Sequence, residues 1–209
     1  GGERLGLEVN YRHFFKNGYK AFNTGDGKIY YHDPRLFTIG SKPVAFTATA
    51  ENTNRINYLV KQKEMVSGGN IALALYLDPK TRISISPSLY FIASDYSKHM
   101  KQGNKIEFVH DHRNHFYFPT SGYYLSASIE PGSYFGGNGV IGYVAAGTKL
   151  RKYFALPYEF SMLVGLKGMV GANLLGGDQF LLGDGFVRAN KDLSKFGQAA
   201  IAGTFEVRS

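Results

Sequence analysis

Apolar and polar side chains alternate along nearly the whole chain, with the two-residue period of half-buried β-strands. In one clear example, Ile83 and Ile85 alternate with Arg82, Ser84 and Ser86. Strands are predicted at residues 4–15, 18–24, 27–36, 43–53, 57–77, 81–94, 104–117, 122–131, 138–154, 157–171 and 197–208. No segment of comparable strength shows helical spacing. The pattern therefore predicts an all-β, antiparallel protein with about eleven strands.

The composition excludes several classes of protein. The chain has no Cys, which excludes a disulfide scaffold, Cys-ligated zinc, an iron–sulfur cluster and thiol catalysis. No apolar run approaches the ~18 residues that a membrane-spanning helix needs. The formal net charge is +8, but the basic residues are scattered, so nucleic acid is not predicted as a partner. The 26 Gly, 15 Tyr and 16 Phe suit an antiparallel β protein with many turns.

Two architectures share this alternation: a transmembrane β-barrel, whose apolar stripe faces lipid, and a soluble β-sandwich, whose apolar stripe packs inward. Charges of both signs in the polar stripe and strands of about 10–14 residues, against a usual ~5–6, favour the barrel. Tight turns are predicted at 16–18, 78–80, 119–122 and 156–157, and longer loops at 52–57, 95–104, 131–139 and 171–196. Short turns at one end and long loops at the other are typical of such barrels. A tight turn at 24–27 and a longer link at 33–43 break this alternation.

Three segments, in this order, resemble the bacterial surface-antigen barrel of the BamA/TamA outer-membrane assembly family. Residues 108–125, FVHDHRNHFYFPTSGYYL, resemble its D-x-R-[DN]…F-P-T-x-G signature. Residues 180–189, FLLGDGFVRA, resemble its F-x-L-G-G…V-R-G loop, and residues 204–208, TFEVR, are similar to the strand that follows. The chain departs from the pattern at Asp184 and Ala189, where the family has Gly.

The resemblance implies a single outer-membrane barrel domain over residues 1–209. Family barrels have sixteen strands, and the V-R-G loop joins the eleventh to the twelfth. We therefore expect one strand to precede the eleven predicted here and four to follow them, so that the domain is incomplete at both ends.

The implied function is insertion, assembly or translocation of proteins at the bacterial outer membrane, without enzyme activity. The implied partners are outer-membrane lipids and lipopolysaccharide, nascent outer-membrane proteins, and periplasmic or lipoprotein partners. Two alternatives stay open: a barrel that anchors or exports a patatin-like phospholipase, and a passive outer-membrane pore.

The resemblance also assigns two groups of site residues. The loop carries Gly183, Val187 and Arg188, and the Arg is expected to pair with Glu206 on the polar side of the next strand. Such a pair would lock the loop against the barrel, since a guanidinium fork matches a carboxylate bidentately. The strand-turn motif carries the second group: Asp111, Arg113, Pro119 and Gly122.

Neither a metal nor a cofactor is predicted. His110 and His112 would project to the same side of a strand and His115 to the other, and only Asp111 lies nearby to complete a metal shell. Residues 137–142 match G-x-G-x-x-G, but a strand follows where a dinucleotide site needs a helix. No G-x-S-x-G, Walker lysine or triad spacing is present, so no catalytic residue is predicted.

Overall fold

The computed structural model describes residues 2–14, 22–57, 62–94, 97–137, 139–158, 160–175, 178–182 and 195–208. Ten strands form one antiparallel sheet in the order β1-β2-β3-β4-β5-β6-β7-β8-β9-β12. They are β1 (Arg4–Phe14), β2 (Phe22–Ile39), β3 (Lys42–Asn57), β4 (Gln62–Asp78), β5 (Thr81–Ala93), β6 (Lys98–Asp111), β7 (Gly122–Gly136), β8 (Gly139–Ala155), β9 (Ser161–Ala172) and β12 (Ala199–Arg208). Between β9 and β12, the short strands β10 (Phe180–Leu182) and β11 (Lys195–Gly197) pair with each other. The prediction of an antiparallel all-β chain is confirmed.

The cross-strand register gives the sheet one apolar and one polar face. Ile85 of β5 is paired with Ile106 of β6, which is paired with Ile129 of β7. Their side chains are 46–47% exposed. Within the described part of the chain, the only other sheet is the two-stranded β10–β11, so no second sheet covers this face. The sandwich alternative therefore lacks the second layer that would bury the apolar stripe.

The polar face packs tyrosine rings flat over glycines on neighbouring strands. A Cβ built on Gly132 would lie 2.5 Å from the Tyr143 ring, and one on Gly103 would lie 2.6 Å from the Tyr143 hydroxyl. Gly68 and Tyr90 show the same relationship on β4 and β5. These close approaches explain glycines within strands, where this residue otherwise weakens the ladder.

The predicted turn at 24–27 is wrong. Asp26 and Gly27 lie inside β2, where they pair with Asn10 and Val9 of β1, and the Asp26 carboxylate accepts a hydrogen bond from the Asn54 backbone N–H at 3.0 Å. Turn propensity is a local preference, and continuous ladders to β1 and β3 override it here. Two predicted strands are therefore one, and the residues that the structure describes form ten long strands and one short hairpin.

The predicted link at 33–43 is also wrong, because β2 continues to Ile39. Three residues of β2 face one residue of β3 between the pairs Asp33–Phe46 and Phe37–Val44. Pro34 lies in this bulge, where its missing N–H costs no ladder bond. The reversal into β3 takes two residues and begins at Gly40, whose φ of +62° is left-handed.

Loop lengths differ from those expected. The segments 52–57, 95–104 and 131–139 were predicted as long loops, but most of their residues belong to strand ends of β3, β6, β7 and β8. Polar residues at those strand ends resemble a loop in sequence, although their backbones pair normally. The strands accordingly span 10–18 residues.

The sheet has two ends, which we name by their connections. The turn end carries the connections 40–41, 79–80, 112–121 and 156–160, and the loop end carries 137–138 and 173–198. The predicted turn at 16–18 lies outside the described residues. The described ends of β1 and β2, at Phe14 and Phe22, lie at the loop end and not at the turn end. The expectation that strands of the barrel lie outside this chain stays a prediction.

Candidate functional site

The connection between β9 and β12 is bound to the polar face through Asp178. Its carboxylate accepts a hydrogen bond from the Tyr134 hydroxyl of β7 at 2.9 Å, and it lies 3.5 Å from the Lys101 ammonium of β6. Lys101 also lies 3.4 Å from Glu130. The side chains of Asp178 and Lys101 are 10% and 18% exposed, so solvent screens this ion pair little. We call Lys101, Glu130, Tyr134, Tyr143 and Asp178 the loop anchor.

Tyr143 completes the loop anchor from β8. Its hydroxyl donates to Glu130 at 2.6 Å, and the Lys101 ammonium lies 4.9 Å from the centre of its ring. The rings of Tyr134 and Tyr143 are 4.7 Å apart and both are almost fully buried. Lys101 is therefore held by two carboxylates and an aromatic face, an arrangement that offsets the cost of withdrawing its charge from water.

The start and end of the same connection are tied together beside the loop anchor. The Gln198 side-chain amide accepts a hydrogen bond from the Leu174 N–H at 3.1 Å and donates one to the Leu174 carbonyl at 3.0 Å. The Gly171 N–H donates to the Gln198 carbonyl at 2.6 Å. Leu174 itself is buried against Tyr134 and Tyr143. The base of the connection is thus part of the packed polar face.

The predicted strand-turn motif forms a compact unit at the turn end. Arg113 donates through Nε to Asp111 Oδ1 at 2.8 Å and through Nη2 to Oδ2 at 2.6 Å. Its guanidinium also lies 5.0 Å from the Phe116 ring centre and 5.1 Å from that of Tyr124. Hydrogen bonding to the Asp111 carboxylate raises the pKa of the Arg113 guanidinium above its ordinary value. The motif therefore contains a bidentate ion pair whose guanidinium contacts two aromatic rings.

Asn114 organises the turn that follows. Its side-chain carbonyl accepts hydrogen bonds from the backbone N–H groups of Thr120 and Ser121, at 3.1 and 3.0 Å. Pro119 is buried, and Gly122 has a φ of +98°. A Cβ on Gly122 would collide with the His112 carbonyl oxygen. Pro119 and Gly122 therefore shape the chain reversal, and the structure gives them no exposed reactive group.

Of the predicted pair between Arg188 of the loop and Glu206 of β12, the structure describes only Glu206. Glu206 lies on the polar side of β12, where its Oε2 accepts hydrogen bonds from Arg208 Nε at 2.9 Å and Nη2 at 2.6 Å. Gly183, Val187 and Arg188 lie outside the described residues. The pairing of Arg188 with Glu206 stays a prediction.

The comparisons with known proteins identify the family. The chain matches the Omp85 superfamily domain over residues 2–205. It belongs to the Omp85 superfamily. The match confirms the BamA/TamA resemblance and extends it from the second half of the chain to the first hundred residues. No curated protein matched the chain.

Sequence reasoning on this Omp85 chain missed the loop anchor. Asp178 lies two residues before the start of the recognised F-x-L-G segment, but nothing in the sequence indicates that Lys101, which lies 77 positions earlier, is its partner. Asn114 stood inside the recognised motif without an assigned role. Its bonds reach six and seven residues along the chain, whereas the Asn side chain of an ordinary turn bonds the backbone two residues on, so the local sequence carried no signal for them.

The strand period does not position all three histidines, because β6 ends at Asp111 and His112 and His115 lie in the connection that follows. The rings of His110 and His112 lie 4.6 Å apart, while His115 accepts hydrogen bonds from the N–H groups of Tyr117 and Phe118. His110 is bonded to Thr81 and Tyr123. Among the residues that the structure describes, no three His, Cys, Asp or Glu side chains are grouped to hold a metal ion. In that part of the chain, no helix has the length and apolarity to cross a membrane.

Proposed function

We propose that this Omp85 chain forms the wall of an outer-membrane β-barrel that assembles or translocates other proteins. The exposed apolar face supports the membrane assignment, because the exposed isoleucines of β5, β6 and β7 are paired across the strands. Such a band would be unfavourable in water and is the expected lipid contact of a barrel. The polar face then lines the lumen. The long connection 173–198 places the loop end at the cell exterior, so the turn end faces the periplasm.

The loop anchor is the observation that carries the proposed role. It joins the connection between β9 and β12 to β6 and β7, several strands away in the sheet. The connection is long, and nearly buried charges fix it to the polar face. We infer that the connection holds the barrel in one conformation, and that Asp178, Lys101 and Tyr134 determine how readily it is released.

The proposed partners follow from this placement. The apolar face would contact outer-membrane lipids, with lipopolysaccharide in the outer leaflet, and nascent outer-membrane proteins would be the clients. Periplasmic proteins or lipoproteins would meet the connections of the turn end. None of these interactions requires a nucleotide or a metal.

Reconstitution tests the proposed function. The complete barrel, of which this chain is expected to be part, is inserted into phospholipid vesicles. A urea-denatured outer-membrane barrel is added, and its folding is followed by the mobility shift of unheated samples in electrophoresis. We expect faster client folding than in empty vesicles of the same composition, and a changed rate with Asp178→Ala. Equal rates in all three samples would contradict the proposal. Ion conductance without faster client folding would instead support a passive pore.

A further inference from the structure

The turn end of the polar face contains a cavity of about 400 Å³ that is separate from the loop anchor. Strand ends of β4 to β8 and the connection 112–121 surround it. Five cationic side chains line it, against one carboxylate, Asp111. They are Lys80, Arg82, Arg113, Lys149 and Arg151. We call this cavity the basic pocket.

The strand register places these cations around one space. Arg82 is paired with Val109 on β6, Val109 with Ser126 on β7, and Ser126 with Lys149 on β8. Arg82 and Lys149 therefore belong to one row across the sheet, with the small Ser126 and the buried Val109 between them. Arg151 lies two residues further along β8, on the same face. The row leaves an opening between long basic side chains.

The charge of the basic pocket is not balanced from within. Asp111 is already bonded bidentately to Arg113. In the described part of the chain, no carboxylate lies within ion-pair distance of Arg82, Lys149 or Arg151. Lys149 also experiences the like charges of Arg151, Lys167 and Arg113. Such a cluster destabilises the folded chain by repulsion, and an anion bound among the cations would relieve it.

We propose that the basic pocket is a binding site for a phosphate group. Arginine forks bond phosphate oxygens in pairs, and a lysine adds a mobile donor, so Arg82, Arg151 and Lys149 supply the donors that such a group needs. Tyr76 and Tyr124 extend the lining with hydroxyl groups. The phosphate belongs either to a soluble phosphorylated compound that enters the lumen or to a phospholipid headgroup at the rim.

Calorimetric titration of the detergent-solubilised chain with inorganic pyrophosphate tests the site. We expect saturable binding that weakens as the salt concentration rises. The double variant Arg82→Gln/Lys149→Gln should bind roughly tenfold or more weakly, because it loses two charge-assisted contacts. The matched control Lys28→Gln/Lys105→Gln removes the same charge outside the pocket and should bind within about twofold of the unaltered chain. Absence of binding, or an equal loss in both variants, would overturn the proposal.

Two further measurements keep the test independent of variant folding. In the unaltered chain, pyrophosphate should protect Lys149 from an amine-acylating reagent while Lys105, which is bonded to Glu107, stays as reactive as before. Equal protection or none would count against the pocket. Phosphorus analysis of the purified chain distinguishes the sources. Phospholipid retained by the unaltered chain and lost from the double variant indicates a headgroup, whereas binding of added pyrophosphate without retained lipid indicates a soluble ligand.

Discussion

Removing the Asp178 carboxylate is expected to release the connection between β9 and β12 while leaving the sheet folded. Asp178→Ala deletes the 2.9 Å hydrogen bond from Tyr134 and the 3.5 Å ion pair with Lys101. A hydrogen bond to a charged group contributes about 1.5–3 kcal/mol. The ion pair adds little to the loss, because Lys101 keeps Glu130 at 3.4 Å. We therefore expect a cost of about 2 kcal/mol, which raises the population of the released connection roughly thirtyfold.

Limited proteolysis measures this population, since cleavage of an opened segment follows its equilibrium occupancy when opening is fast. We expect cleavage between residues 178 and 198 to accelerate by at least about tenfold in Asp178→Ala, with little change in global thermal unfolding. Asp178→Asn keeps an acceptor for the Tyr134 hydroxyl, so its cleavage rate should lie between those of the unaltered chain and Asp178→Ala. Glu107→Gln, which breaks the more exposed 3.0 Å pair with Lys105, is the control and should leave cleavage unchanged. An unchanged cleavage rate in Asp178→Ala would refute the anchoring role.

Three further substitutions test the fold and the strand-turn motif. Ile129→Lys, on the exposed apolar face at the middle of β7, should destabilise the chain in vesicles by about 2–4 kcal/mol, whereas Ser128→Lys on the polar face should cost much less. Urea titrations of the two variants compare them. Gly132→Ala places a methyl group against both the Gln102 carbonyl oxygen and the Tyr143 ring, and should cost about 1–3 kcal/mol of unfolding free energy in the same assay. Asn114→Ala leaves two turn N–H groups without their side-chain acceptor and should cost about 1–2 kcal/mol, with faster amide exchange at residues 120–121.

Each of these three expectations has an outcome that contradicts it. An equal loss of unfolding free energy in Ser128→Lys and Ile129→Lys would mean that the two faces of the sheet do not differ in environment. An unchanged stability of Gly132→Ala would show that the tyrosine ring does not need the space above the glycine. Unaltered amide exchange in Asn114→Ala would remove the role given to that side chain in the turn.

The faces of the strands could be predicted from the sequence, but their ends could not. Alternation of large apolar residues, such as that around Ile85 and Ile129, reports directly which face a side chain occupies. The residues Asp26 and Gly27 resemble a turn because the sequence shows their local preference and not the two ladders that hold them extended. Strand ends rich in polar residues were mistaken for loops for the same reason.

In the candidate site, some contacts could be predicted from the sequence and others could not. Contacts between neighbours in sequence could be anticipated: Asp111 and Arg113 are two residues apart, and their bidentate pair lies within the recognised motif. The contact of Asp178 with Lys101 depends on how the connection returns to the sheet, which is a property of tertiary packing. The packing of tyrosines over glycines could not be predicted either, because the sequence shows only that both residue types are abundant. What each glycine accommodates became clear from the register.

The Gln198–Leu174 bonds determine how freely the connection between them can change. Because Gln198 and Gly171 close the connection at its base, the pairing of β9 with β12 begins at the same place whatever the length of the segment between them. Doubling the length of a closed segment costs only about 0.6 kcal/mol of chain entropy. Insertions of new sequence beyond Asp178 should therefore be tolerated by the wall. We therefore expect this connection to differ in length and sequence between related chains whose strands are alike.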